Sequence, residues 1–129
     1  MVKGAAILFG IVFLVAGILG YVPAVTPDTN GRPMLLGIFH VNGAHDIVLL
    51  ASGIIFLLCG LAGAGPSRTF FRIFGVVYAL VAILGFAKGD GYLLGLIANN
   101  MADVWLHVAL AVVMLIIGFG VRDAAPAST

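Results

Sequence analysis

The sequence predicts an all-α membrane protein: a four-transmembrane-helix bundle made from a tandem two-helix repeat, with the same orientation in both copies. Three observations lead there. Of the 129 residues, 63% are hydrophobic and 9% are charged, against roughly 25% charged in soluble domains, so too few charges exist to clothe a water-exposed core. Four long stretches are free or nearly free of charge. The second half of the chain also repeats the first in outline.

The stretches are GAAILFGIVFLVAGILGYV from Gly4, IVLLASGIIFLLCGLAGAG from Ile47, IFGVVYALVAILGFA from Ile73 and VWLHVALAVVMLIIGFGV from Val104. A bilayer core takes about 20 apolar residues as helix, with a range of roughly 17 to 25. The third stretch is short, but Phe70 and Phe71 extend it, and Arg72 can snorkel to the interface. The first has features of a secretory signal: Lys3, an apolar region, and Val22-Pro23-Ala24 at a cleavage-like position. Its recurrence later in the chain favours a retained span.

The recurrence is residue by residue. Phe9, Gly10, Val12, Ile18, Leu19 and Gly20 return as Phe74, Gly75, Val77, Ile83, Leu84 and Gly85. In the second match, Leu35-Leu36-Gly37 returns as Leu93-Leu94-Gly95, Asn42 as Asn100, Ala44 as Ala102 and Gly60 as Gly118. The expected organisation is a single transmembrane domain over 1–129, with repeat one at 1–65, repeat two at 69–121 and a short cytoplasmic tail at 122–129. Two helices per repeat give both copies one orientation, about a pseudo-two-fold axis along the membrane normal. The first copy carries the longer connection, YVPAVTPDTNGRPM, punctuated by Pro23, Pro27, Gly31 and Pro33. The second has only FAKGDGY.

Lys3, Arg68, Arg72 and Arg122 fall on the side of the termini and the central loop, and Arg32 and Lys88 on the other. The positive-inside rule then puts both termini in the cytoplasm, with Tyr21, Tyr92 and Trp105 near the outer interface. A net charge of +1 and the lack of a basic stripe argue against a nucleic-acid partner. Cys59 is the single cysteine, so no internal disulfide or multi-cysteine metal site exists.

Polar residues gather at the outer ends of the second and fourth helices, in Asn42-Gly43-Ala44-His45-Asp46 and Asn100-Met101-Ala102-Asp103. Asn42 and Asn100 fit as N-caps, and Asp103 as the reciprocal partner of a capping box. Capping does not account for His107, one turn deeper on the same face, about 6 Å along the axis. A polar cluster of His45, Asp103 and His107, hydrogen-bonded together, with Asp46 at its rim, would spare these groups an unpaired burial. Three readings of it stay open. It is a structural clasp between helices, a proton or small-ion conduit formed by an oligomer, or a metal site in which His45, Asp103 and His107 are the candidate ligands for zinc or iron. No cofactor is otherwise expected. His40 joins only if its loop folds inward. Ser52 and Ser67 lack a nearby base in recognisable order, no catalytic motif is found, and an enzyme is not expected.

The Leu-Leu-Gly repeats, the Asn-x-x-His and Asn-x-x-Asp helix starts and Trp105-Leu106-His107 resemble the bacterial DUF4383 family, over essentially the whole chain. The resemblance implies a small four-helix integral membrane protein of the bacterial inner membrane, and no activity. Its first repeat is expected to read Asn-x-x-His-x-x-x-His; Asn42 and His45 fit, whereas Leu49 stands where the second histidine belongs.

Ala16 with Gly20, and Gly60 with Ala64, are small-xxx-small pairs able to pack helices within or between chains. With almost no extramembrane mass, the chain is expected to act through the lipid bilayer, as a homo-oligomer, or with another membrane protein, in a structural, assembly or partner-binding role.

Overall fold

The structure, a computed structural model, describes residues 1–29 and 31–121; Arg122 and the expected tail at 122–129 lie outside the described residues. Four helices are long and apolar enough to cross a membrane. They are α1 (Val2–Leu19), α2 (Gly43–Ala62), α3 (Ala64–Lys88) and α4 (Met101–Leu115), the last continuing into a π-helical turn at Ile116–Gly120. Each buries one narrow stripe. In α1 this is Val2, Ala6, Gly10, Phe13 and Gly17, the three-to-four-residue spacing of a single helix face. The other faces expose large apolar side chains such as Leu8, Leu58, Ile83 and Val112, as contact with lipid requires. The chain is therefore an all-α membrane protein of four helices.

α1 packs closely on α2, and α3 on α4, while α2 with α3 and α1 with α3 meet more lightly and α1 with α4 makes no comparable contact. Glycines let the tight pairs approach. A methyl group at Gly10 would lie 2.7 Å from Leu57, and one at Gly75 2.8 Å from Leu115. One at Gly60 would lie 2.6 Å from Ile7, and one at Gly118 2.8 Å from Arg72. In both comparisons the obstructing residues occupy matching positions of the two halves. The half of the bundle nearer the chain's N-terminus is filled by rings: Phe56 lies 5.4 Å from Phe9 and 5.1 Å from Phe71, and Phe74 lies 4.9 Å from Tyr78, centroid to centroid.

At this end a single residue, Gly63, separates α2 from α3, and the Ser67 hydroxyl donates to Cys59 O at 3.0 Å and Gly63 O at 2.7 Å. That explains Ser67 as a helix-end bond. Arg72 Nε donates to Gly118 O at 2.7 Å with its guanidinium 4.8 Å from the Phe119 ring centre, and Arg68 donates to Val121 O. Both arginines thus satisfy carbonyls where α4 ends.

The connections from α1 to α2 and from α3 to α4 are more ordered than their loop-like sequences suggest. Strands β1 (Asp28–Thr29), β2 (Arg32–Leu35) and β3 (Phe39–His40) form an antiparallel meander, and β4 (Gly91–Leu93) pairs with β5 (Ile97–Asn99). Met34 faces His40, and Tyr92 faces Ala98 in the matching register. Each hairpin turns through a Leu-Gly pair with positive φ at both residues: 55° and 71° at Leu36-Gly37, 54° and 72° at Leu94-Gly95. Mirror-image hairpin turns need that geometry, and leucine adopts it only under strain.

Candidate functional site

The two hairpins bring the starts of α2 and α4 together. Asn42 caps α2 by accepting from His45 N–H at 2.9 Å, and Asn100 caps α4 by accepting from Asp103 N–H at 2.9 Å. Asn100 N–H donates in return to the Asp103 carboxylate at 3.0 Å, completing a capping box. The amide groups then cross the molecule. Asn42 Nδ2 donates to Leu96 O at 2.8 Å, and Asn100 Nδ2 donates to Ile38 O at 2.9 Å. Each asparagine therefore ties its own helix start to the hairpin of the other half.

His45, Asp103 and His107 share the wall of one cavity of about 400 Å³. It lies between α1 and α4, with Ile11, Val15 and Leu19 on one side and Leu106 and Leu110 on the other, under a roof that includes Leu36 and Phe39. The polar residues do not form the mutually hydrogen-bonded group that the sequence suggested. The imidazoles of His45 and His107 lie nearly parallel at 6.3 Å, and Tyr78 meets His107 edge-on at 5.3 Å. The Asp103 carboxylate turns to the Asn100 N–H instead, because capping offers it a donor inside its own first turn. Among the described residues no three His, Cys, Asp or Glu side chains converge closely enough to hold a metal ion.

Nδ1 of His45 and of His107 is buried without a hydrogen-bond partner among the described residues, and both imidazoles line the cavity. Both rings are held near the capped starts of α2 and α4.

Asp46 lies elsewhere. Its carboxylate packs against α1 at Gly20, where a methyl group would fall 2.0 Å from Oδ1. Asp46 is only 2% exposed, and Oδ1 has no hydrogen-bond partner. Gly20 is thus a close-approach site inside the chain, while Ala16, four residues earlier, faces the cavity. Gly60 packs on Ile7, but Ala64 begins α3 beyond Gly63 and is exposed, so those two do not form one helix face.

Two residues gained importance that sequence alone did not assign. His40 is 1% exposed, its ring nitrogens have no hydrogen-bond partner among the described residues, and its ring lies 5.4 Å from Tyr92. Burial holds its imidazole below the ordinary histidine value. Beside it Arg32 and Asp90 form an exposed ion pair at 3.8 Å between the two outer connections. Tyr78 lies within an apolar run, and only its edge-on contact with His107 marks it as part of the site. A signal existed in each case, a lone polar tip in an oily stretch, without a sign of direction.

A family model described as Domain of unknown function (DUF4383) matches residues 3–120. No curated protein and no solved structure matches the chain.

Proposed function

The chain belongs to the DUF4383 family, a domain of unknown function, and on that premise we propose an integral inner-membrane protein of partner-binding type, whose partner is a small molecule dissolved in the bilayer. One observation carries this: the gap between α1 and α4 holds a cavity of about 400 Å³ whose apolar walls carry His45, Tyr78, Asp103 and His107. Small-molecule sites have this character, apolar clefts of roughly 300–1,000 Å³ with a few placed polar groups. A transmembrane helix, about 10–12 Å across with its side chains, is a poorer occupant of so small a space.

The remaining pieces fit around this reading. The crossed Asn42 and Asn100 bonds act as the clasp that fixes the two outer ends while α1 and α4 stay apart. The matching turns, caps and glycine contacts support an origin by tandem duplication. Cytoplasmic termini in a bacterial inner membrane follow from the distribution of Lys and Arg. No catalytic step is assigned. Internal use of Gly20 and Gly60 weakens the case for a homo-oligomer built on them, and the ring-filled inner half weighs against an ion path through one chain.

The test compares small-molecule content after gentle purification in lipid nanodiscs, read by native mass spectrometry. Wild type is expected to retain about one small molecule per chain. Ala16→Phe and Leu106→Trp, which fill the cavity from opposite walls, are expected to lose it. Equal content in all three proteins, or a discrete oligomer with no retained molecule, would overturn the reading.

A further inference from the structure

We infer that the cavity selects a neutral, hydroxyl-bearing lipid-soluble molecule, with its head against His45, Tyr78 and His107 and its apolar body lying between α1 and α4. This rests on the binding role proposed above and adds the chemistry of the head.

Charge is the first argument. Among the described residues no lysine or arginine lines the cavity, so a phosphate or carboxylate head finds no counter-charge there. A cationic head would meet a single carboxylate among the described lining residues, Asp103, which the Asn100 N–H already holds in the α4 cap. Burying an unpaired charge is costly, so the wall favours an uncharged head.

Hydrogen-bonding capacity is the second. The imidazoles of His45 and His107 and the Tyr78 ring line the cavity, and among the described residues no protein group bonds their side-chain polar atoms. A neutral imidazole nitrogen donates or accepts according to tautomer, and a phenol does both. A hydroxyl also does both, so it pairs with these groups in any arrangement, whereas an ether or ester oxygen only accepts. Position is the third argument. The polar wall lies at the outer helix ends, beneath Leu36 and Phe39, and the aliphatic walls run down α1 and α4. A head-and-chain molecule entering from the lipid would seat in that order.

Such a head occurs on diacylglycerol-type lipids and on lipid-soluble phenols and quinols. The experiment measures saturable retention of tritiated hexadecanol, its methyl ether and hexadecane by full-length protein in detergent. Dioctanoylglycerol and a decyl-substituted benzoquinol compete in separate arms to identify the source. Hexadecanol is expected to bind about five- to tenfold more tightly than the ether or the alkane, the scale of one net hydrogen bond. Tyr78→Phe and His107→Leu are expected to erase that preference while hexadecane binding persists. Equal binding of alcohol, ether and alkane would overturn the head-group inference and leave the lateral binding site standing. Saturable binding of none of the probes would overturn both.

Discussion

Asn42 and Asn100 stand in the same relation to opposite halves of the chain: each caps its own helix and donates its amide to a turn carbonyl of the other half, at 2.8 Å to Leu96 and 2.9 Å to Ile38. The four bonds make the outer layer a mutual lock, and they separate two energies that substitution can resolve. Serine keeps an oxygen for the cap and loses the crossing donor. Asn42→Ser and Asn100→Ser are each expected to lower stability by about 1 kcal/mol. The alanine variants, which also lose the cap, are expected to lose about 2 kcal/mol. Thermal unfolding in detergent measures both series; serine variants as stable as wild type would mean that the crossing bonds contribute nothing.

Gly20 and Asp46 give a second test. A Cβ at Gly20 would fall 2.0 Å from Asp46 Oδ1, so Gly20→Ala is expected to destabilise by about 1–3 kcal/mol, the range for overpacking. Because Oδ1 has no partner, Asp46→Ala is expected to change stability by no more than about 1 kcal/mol. In the double variant the alanine at 46 makes room, and most of the loss should return. Simple additivity of the two changes, read by chemical denaturation, would rule out the contact as the cause.

His40 predicts a pH dependence. Burial lowers the folded-state pKa of its imidazole from the ordinary 6.5, Arg32 lowers it further, and the Asn99 backbone and Asp90 work in the opposite direction. The unfolded chain therefore binds a proton that the folded chain resists. Stability is complete above 6.5, the ordinary value, and is lost as the pH falls from there toward the lowered folded value. His40→Phe keeps a ring against Tyr92 and removes the titration. Melting temperatures measured from neutral pH downward should fall less steeply for this variant than for wild type. Parallel slopes would place the acid sensitivity on other groups.

The four spans, the gathering of polar residues at the starts of α2 and α4 and both asparagine caps were legible in the sequence because each depends on neighbours within a turn or two. Apolar length sets a span, and a cap needs only a side-chain oxygen within reach of N–H groups two or three residues on. The matching Leu-Leu-Gly turns were visible as a repeat, although their hairpins were not, since positive φ at Leu36 and Leu94 runs against leucine's local preference. Gly60 and Ala64 illustrate the opposite error: spacing placed them on one face, while Gly63 ends the helix between them.

By itself, then, the sequence determined an oily four-helix chain with two capped helix starts and a handful of polar side chains near one end. Only the tertiary structure decided which way those side chains turn: Asp46 toward Gly20, Asp103 into its own cap, His45 and His107 onto a shared cavity wall, and His40 inward. The physical reason is that a side chain's surroundings depend on how each helix is rotated about its axis and on which distant carbonyl arrives beside it. The asparagine bonds that join Asn42 to Leu96 and Asn100 to Ile38 span more than fifty residues each, a distance at which no local pattern records its partner.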